Sequence, residues 1–301
     1  MKGIFKSAPN TDLLGFESAS VLDQRVFQNL FFFNPERALA KDVLSELLNE
    51  NSGTNPYLPN PTSSKLEKET LLKTLSEILE RENFHTEYQP ILSLETGQIF
   101  AYEALARFKI DGKYIPPDFV FKELHNEEEL FFEFEKNLKR FQIRNRPEDK
   151  PLFLNLDPHV CKSENQAEHW RKLLSGHKNL VCEIIENTDS TLISDTRFCL
   201  KTLFEADIPL ALDDVGGKEN LFCFDFLEYS KFVKFDKHWL NLIQTKESYK
   251  YLLWGFLDFA RDSNILCILE GIETTEDLRL ASEMRFPLVQ GYIFQTKNIS
   301  V

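Results

Sequence analysis

An α/β barrel is the fold class predicted by this 301-residue sequence, and three observations predict it. Eight apolar runs of strand length recur from residue 84 onward, most of them alternate with longer amphipathic helical stretches, and most end on a polar or charged residue. Alternation of this kind demands a parallel sheet, and eight strands suggest closure into a modified (β/α)8, TIM-like barrel.

Taken in order, residues 1–50 hold VLDQRVFQNLFFF and NPERALAKDVLSELLNE, which read as two short amphipathic helices, with Asn34 as an N-cap and Pro35 at a first helical position. This helical extension is too short for an ordinary sensory domain, so it is expected to pack on the main body or on a regulatory partner. Residues 51–64, NSGTNPYLPNPTSS, carry three Pro, three Asn and no charge, and read as a linker. The barrel domain is expected over 65–301, opening with a helix through KLEKETLLKTLSEILERE capped by Ser64. The strand-length runs then follow: FHTEYQPIL, GQIFAYEAL, PLFLNL, NLVCEII, IPLALDD, KFVKFD, NILCILEG and PLVQGYIF. The first two are joined by the turn-like SLETGQ and predict an antiparallel hairpin, so one strand of the barrel should run against the rest. Helical patterns fill the intervals, and Glu127, Glu128 and Glu129 suit the positive end of one of them.

Composition narrows the function. With 35 Lys and Arg against 48 Asp and Glu, the net charge of −13 disfavours a nucleic-acid polymer as partner and leaves carboxylates for divalent cations. Twenty-seven Phe scattered through apolar runs fit core packing better than base stacking. Five cysteines without a C-x-x-C pair argue against a disulfide framework or a structural zinc, and the six His show no paired ligand spacing. No apolar stretch approaches the length of a membrane span and the start lacks a leader-like apolar region, so a cytoplasmic location is expected.

The polar strand ends carry the chemistry. They are Glu103, Asn155, Glu183, the pair Asp213 and Asp214, Lys234, Glu270 and Gln290; from Asn155 onward the separations are 28, 30, 21, 36 and 20 residues. In a parallel barrel the strand C-termini share one rim, so these side chains should converge on one cleft. Four or more acidic groups there would repel unless cations neutralise them, and a two-metal site is the economical inference. Oxygen ligands without Cys or His favour Mg²⁺ or Mn²⁺, with Ca²⁺ also admitted, and paired ions of this type suit attack at phosphorus. Lys234 among carboxylates would orient a water or stabilise developing negative charge, and otherwise forms a plain ion pair. A Schiff-base barrel using Lys234 and a glycosidase using paired carboxylates are weaker alternatives. An acid-rich rim keeps the lysine protonated, and a glycosidase leaves Asn155 and Lys234 without a role.

The sequence around these positions resembles a known family. Tyr88-Gln89-Pro90-Ile91 and Glu103-Ala104-Leu105-Ala106-Arg107 resemble the opening of the EAL domains, bacterial cyclic-di-GMP phosphodiesterases named after the Glu-Ala-Leu triplet. The resemblance continues through Asn155-Leu156-Asp157-Pro158, Glu183-Ile184-Ile185-Glu186, Asp213-Asp214-Val215-Gly216, Lys234-Phe235-Asp236, Glu270-Gly271-Ile272-Glu273-Thr274 and Gln290-Gly291-Tyr292, and covers residues 65–298. It implies a modified barrel that opens cyclic-di-GMP to linear pGpG. By the same resemblance Glu103, Asn155, Glu183 and Asp213 hold one divalent ion, Mg²⁺ or Mn²⁺, while Asp213 and Asp214 help hold a second; Ca²⁺ is expected to inhibit. Lys234 and Glu270 would sit at the nucleophilic water with Asp236 nearby. Arg107 would grip a phosphate, and Gln89, Leu105, Glu273 and Gln290 would line the dinucleotide pocket. Glu186 would brace the loop after the Asp pair, and a homodimer is implied.

That loop departs from the family. Where Phe-Gly-Thr-Gly-Tyr-Ser-Ser-Leu is usual, this chain has Val215-Gly216-Gly217-Lys218-Glu219-Asn220-Leu221-Phe222, and Asn298 stands where Pro is common. The loss of the Thr hydroxyl motivates an alternative in which the chain binds cyclic-di-GMP as a receptor without turning it over. A third reading is a protein-interaction role on a barrel that has lost its ligand.

Overall fold

The computed structural model describes residues 65–110, 113–147, 150–185, 193–218, 222–294 and 297–300. The two N-terminal helices, the linker, the Ser64 cap and Glu186 lie outside the described residues. Helix α1 (Lys65–Glu80) leads into an antiparallel hairpin of β1 (His85–Ser93) and β2 (Ile99–Ile110), with Gly97 at φ +67° in its turn. Then come β3 (Lys113–Ile115), α2 (Pro117–Leu124), α3 (Glu128–Arg144), β4 (Leu152–Leu156), a 3₁₀ turn (Pro158–Val160), α4 (Glu164–Ser175), β5 (Leu180–Ile185), α5 (Ile193–Phe204) and β6 (Leu210–Val215). A second 3₁₀ turn (Phe224–Tyr229), β7 (Phe232–Phe235), α6 (His238–Thr245), α7 (Tyr249–Asp262), β8 (Leu266–Leu269), α8 (Thr275–Glu283), β9 (Leu288–Gln290) and β10 (Lys297–Ser300) complete it.

Eight of these strands close a barrel in the order β1-β2-β4-β5-β6-β7-β8-β9. Strand β1 is antiparallel to both neighbours, pairing Gln89 with Glu103 and Ile91 with Gln290, and the other six seams are parallel. The one reversed strand expected from the hairpin is therefore present. Each of the eight apolar runs becomes a barrel strand. The sequence reading did not include α2, α6, β3 or β10; β10 pairs with the outer half of β1, opposite Glu87 through Asn298.

Strand alternation builds the barrel interior in layers, because residues two apart point to the same face. Ile91, Ala101, Phe153, Val181, Ala211, Phe232, Ile268 and Leu288, one from each strand, form a buried apolar plug, with Phe153 edge-on to Phe232 at 5.0 Å. Burying one such Phe contributes roughly 1.5–3 kcal/mol. Two residues along each strand toward the cleft stand Gln89, Glu103, Asn155, Glu183, Asp213, Lys234, Glu270 and Gln290. Outside the strands a larger apolar layer joins them to the helices, with Phe134, Trp170 and Leu203 from α3, α4 and α5 and Phe235 from β7. Glu128 and Glu129 occupy the first turn of α3, as expected for an acidic N-terminus.

Candidate active site

Lys234 is the centre of the polar ring. Its Nζ lies 2.7 Å from Glu183 Oε1, 2.7 Å from Glu270 Oε1, 3.1 Å from Asp213 Oδ1 and 3.2 Å from Glu103 Oε2, and the side chain is 1% exposed. Asn155 Nδ2 donates to Glu103 Oε1 at 2.9 Å, and Gln290 Nε2 donates to Gln89 Oε1 at 2.7 Å and to Glu103 Oε2. Residues far apart in sequence are thus joined in one hydrogen-bonded cluster.

The Asp pair needs a special backbone to take part. Adjacent residues in a regular strand face opposite sides, yet both Asp213 and Asp214 border the cleft. The pairing of β6 with β7 shifts register between Leu212 and Val215, and Asp214 adopts φ +56°. This irregularity turns the second carboxylate toward the first. Gly216 follows at φ +84°; a Cβ there would lie 2.1 Å from Trp239 Nε1, which donates to Val215 O at 3.0 Å. Trp239 is therefore a packing residue under the loop.

One ammonium cannot balance this many carboxylates. Burial opposes the charge of Lys234, but Asp213, Glu103, Glu183 and Glu270 outweigh it and hold the lysine protonated well above its ordinary range. Burial pushes Glu183 well up, and the charge of Glu103 adds to this. Burial likewise raises Glu270 and Asp213, and it lifts Asp214 to about 7 with help from the Asp213 charge. Burial also works to raise Glu103, yet its carboxyl falls below the usual range, because Lys234, Gln290 and Asn155 stabilise the ionised form.

The residues fit divalent cations. One oxygen from each of Glu103, Glu183 and Asp213 lies within 4.8 Å of the others, and the same holds for Asp213, Asp214 and Glu270, so Asp213 is common to two trios. Beyond Lys234 Nζ, no described donor reaches either Glu183 oxygen or Asp213 Oδ1, although both side chains are buried. Orphaned buried oxygens in oxygen-only sets are what Mg²⁺ or Mn²⁺ require.

Above the ring opens a cleft of about 280 Å³. Gln89, Glu103, Leu105, Asp213, Asp214, Lys234, Asp236, Glu270, Glu273 and Gln290 line it, which brings ten of the residues singled out from sequence to one place. Asn155 and Glu183 reach the cluster through Glu103 and Lys234 rather than lining the cleft. Asp236 Oδ1 accepts from His238 N at 2.7 Å, which fixes its carboxylate at the rim. Glu273 sits just before the capping box of α8, its N–H donating to Asp277 Oδ2 at 3.1 Å, and Lys237 Nζ is 3.3 Å from its carboxylate. Arg107 is not an open fork: its Nε and Nη2 engage Glu87 Oε2 at 2.9 and 2.8 Å. Lys237 and Tyr292 also line the cleft, and neither they nor Glu87 are given a role by the sequence, although Tyr292 closes the Gln290-Gly291-Tyr292 motif; Glu87 shares a strand face with Gln89, so period-two alternation is the available signal for it.

The comparisons with known proteins agree with this architecture. Over 227 residues the chain is 25% identical to the probable cyclic di-GMP phosphodiesterase PdeN of Escherichia coli, covering 71% of this chain and 43% of PdeN. It is 26% identical over 227 residues to the cyclic di-GMP phosphodiesterase RocR of Pseudomonas aeruginosa, covering 72% of this chain and 58% of RocR. The chain thus spans about half the length of these curated relatives. Among solved structures, the FimX EAL domain of Pseudomonas aeruginosa, bound to c-di-GMP, superposes with a TM-score of 0.64 at 18% identity, covering 76% of this chain and 96% of that one. An EAL domain protein of Listeria monocytogenes gives 0.61 at 20% identity, covering 74% and 91%. The EAL domain model matches residues 72–297, from within α1 to the first residue of β10, and the chain belongs to the EAL domain family.

Proposed function

We propose that this protein is a divalent-metal-dependent phosphodiesterase that hydrolyses cyclic-di-GMP to linear pGpG in the cytoplasm. The observation that carries the proposal is the pair of carboxylate trios sharing Asp213, set beneath a cleft that also holds Lys234. Glu103, Asn155, Glu183 and Asp213 would hold one ion, and Asp213 with Asp214 the other, Asp236 standing nearby. Divalent ions bound there would lower the pKa of a water and neutralise phosphoryl charge. Glu270, 2.7 Å from Lys234 and ionised once divalent cations neutralise the cluster, would orient the attacking water and take its proton, while the Lys234 ammonium faces the negative charge that grows on the phosphoryl oxygens. The water oxygen bonds to phosphorus as one phosphorus–ribose oxygen bond breaks; one water proton goes to Glu270, and the leaving oxygen takes a proton from solvent. Gln89, Leu105, Glu273 and Gln290 position the dinucleotide, and Arg107 exchanges Glu87 for a phosphate oxygen.

The test is turnover by the purified full chain with Mg²⁺ or Mn²⁺, followed as pGpG release. Product that disappears in Glu103→Gln supports the reading, and no product with either ion rejects it. A second reading, a receptor without turnover, is favoured by one observation: Gly217 and Lys218 replace the Thr-Gly of the usual loop next to Asp214. Cyclic-di-GMP binding in the absence of turnover would select it. We also propose a homodimer, for which the exposed Phe224, Tyr251, Leu252 and Phe259 supply apolar surface, and a regulatory role for residues 1–50 on the barrel over 65–301.

A further inference from the structure

We propose a second metal centre outside the barrel mouth, formed by His125, Asp157 and His159, for a transition-metal dication of the Zn²⁺ class. No His-to-His spacing in the sequence signals it, because the fold makes the pairing: His125 closes the C-terminus of α2, whereas Asp157 and His159 lie at the 3₁₀ turn after β4. His125 Nε2 is 2.6 Å from Asp157 Oδ2, and His159 Nδ1 is 2.6 Å from Asp157 Oδ1. One ligand atom of each lies within 4.8 Å of the others.

The surroundings hold these groups in place. The two imidazoles stack at 4.2 Å with 25° between planes, so both aim a ring nitrogen at the same carboxylate. Phe131 packs edge-on against His125 at 5.2 Å, and the His159 backbone N–H donates to Asp157 Oδ1 at 2.8 Å. Side-chain exposures of 34% for His125 and 20% for each of the other two leave a path for an ion and its waters. Two imidazole nitrogens and one carboxylate oxygen, with a position left for water, are a donor set suited to Zn²⁺. This differs in kind from the oxygen-only trios at Lys234, which suit Mg²⁺ or Mn²⁺. In the metal-free protein each facing nitrogen donates to Asp157; on binding, each ring presents its lone pair there and carries its proton on the other nitrogen. The ion would tie the turn after α2 to the turn after β4.

The experiment uses the full chain in excess Mg²⁺, which occupies the oxygen sites, and titrates Zn²⁺ by calorimetry with zinc X-ray absorption on the loaded protein. The proposal expects one Zn²⁺ equivalent with two imidazole nitrogens in its coordination shell. His125→Ala and His159→Gln should each weaken that binding roughly 10-fold or more, with cyclic-di-GMP turnover in Mg²⁺ unchanged. Absence of stoichiometric Zn²⁺ binding, a shell without imidazole, or undiminished affinity in both folded variants overturns it. The wild-type spectrum decides should either variant fail to fold.

Discussion

Glu183 Oε1 lies 2.7 Å from Lys234 Nζ, and both side chains are withdrawn from solvent, at 0% and 1% exposure. Strands β5 and β7, with β6 between them, contribute this pair to the layer above the apolar plug. The lysine acts here as the fixed cation of a ring whose other members, Gln89, Glu103, Asn155, Glu183, Asp213, Glu270 and Gln290, are negative or neutral. Removing it should therefore leave carboxylates without compensation. Lys234→Met keeps most of the volume and is expected to lower stability by about 3–5 kcal/mol in chelator. The loss should shrink when Mn²⁺ is added. Urea unfolding of the variant with and without Mn²⁺ checks this, and a cost equal in both conditions would show that no external cation relieves the cluster.

Asp214 makes a pH-dependent contribution whose sign follows from its raised carboxyl. A group whose folded pKa exceeds its unfolded value adds stability at low pH and loses it as pH rises through the folded value. With an unfolded value near 4 and a folded one of about 7, the window is pH 4 to 7. In chelator, Asp214→Asn should match the wild type at pH 4 and exceed it at pH 8 by on the order of 2 kcal/mol. Thermal melts across that range give the comparison. Saturating Mg²⁺ should reverse the order at pH 8, because the ion binds the carboxylate and not the amide.

Gly216 is required by two constraints at once, its φ of +84° and the Trp239 ring where a Cβ would be placed. Gly216→Ala is expected to cost about 2–4 kcal/mol, part from the left-handed backbone and part from overpacking. Replacing Trp239 by Leu in the same chain should recover only the steric part. Denaturant midpoints of the two single variants and the double variant separate the contributions.

Arg107 is expected to affect substrate affinity more than the chemical step, since it lies four residues beyond Glu103 on β2, outside the lining of the cleft, and is held by Glu87 rather than by any of the ring's carboxylates. Arg107→Lys removes the planar fork while keeping the charge, and should raise KM for cyclic-di-GMP about 10-fold with kcat little changed. A matching fall in kcat would place the guanidinium at the reacting phosphate instead.

Much of the site could be read from the sequence, because barrel strands impose a simple grammar. An inner apolar residue followed two positions later by a polar one, in Phe153 and Asn155 or Ile268 and Glu270, marks the layer that faces the cleft. The reversed first strand could be read from the turn between two apolar runs. Short elements escaped: α2 begins at the second of two consecutive prolines, α6 begins two residues after the motif residue Asp236, and β10 is KNIS, which gains its place by pairing with β1. Contacts between remote segments escaped as well: alternation puts Glu87 on the face of Gln89 without naming Arg107 as its partner, and the meeting of His125 with His159 leaves no periodic trace. The turn of Asp214 into the cleft depends on a register shift that sequence alternation does not encode.

Diffraction from crystals soaked with Mn²⁺, collected at the manganese absorption edge, tests the central claim most directly. The account predicts two anomalous peaks sharing Asp213, one bounded by Glu103, Asn155 and Glu183 and the other by Asp214 and the rim beside Glu270. A cleft without manganese at saturating concentration, or a single ion that leaves Asp213 unbound, would contradict it.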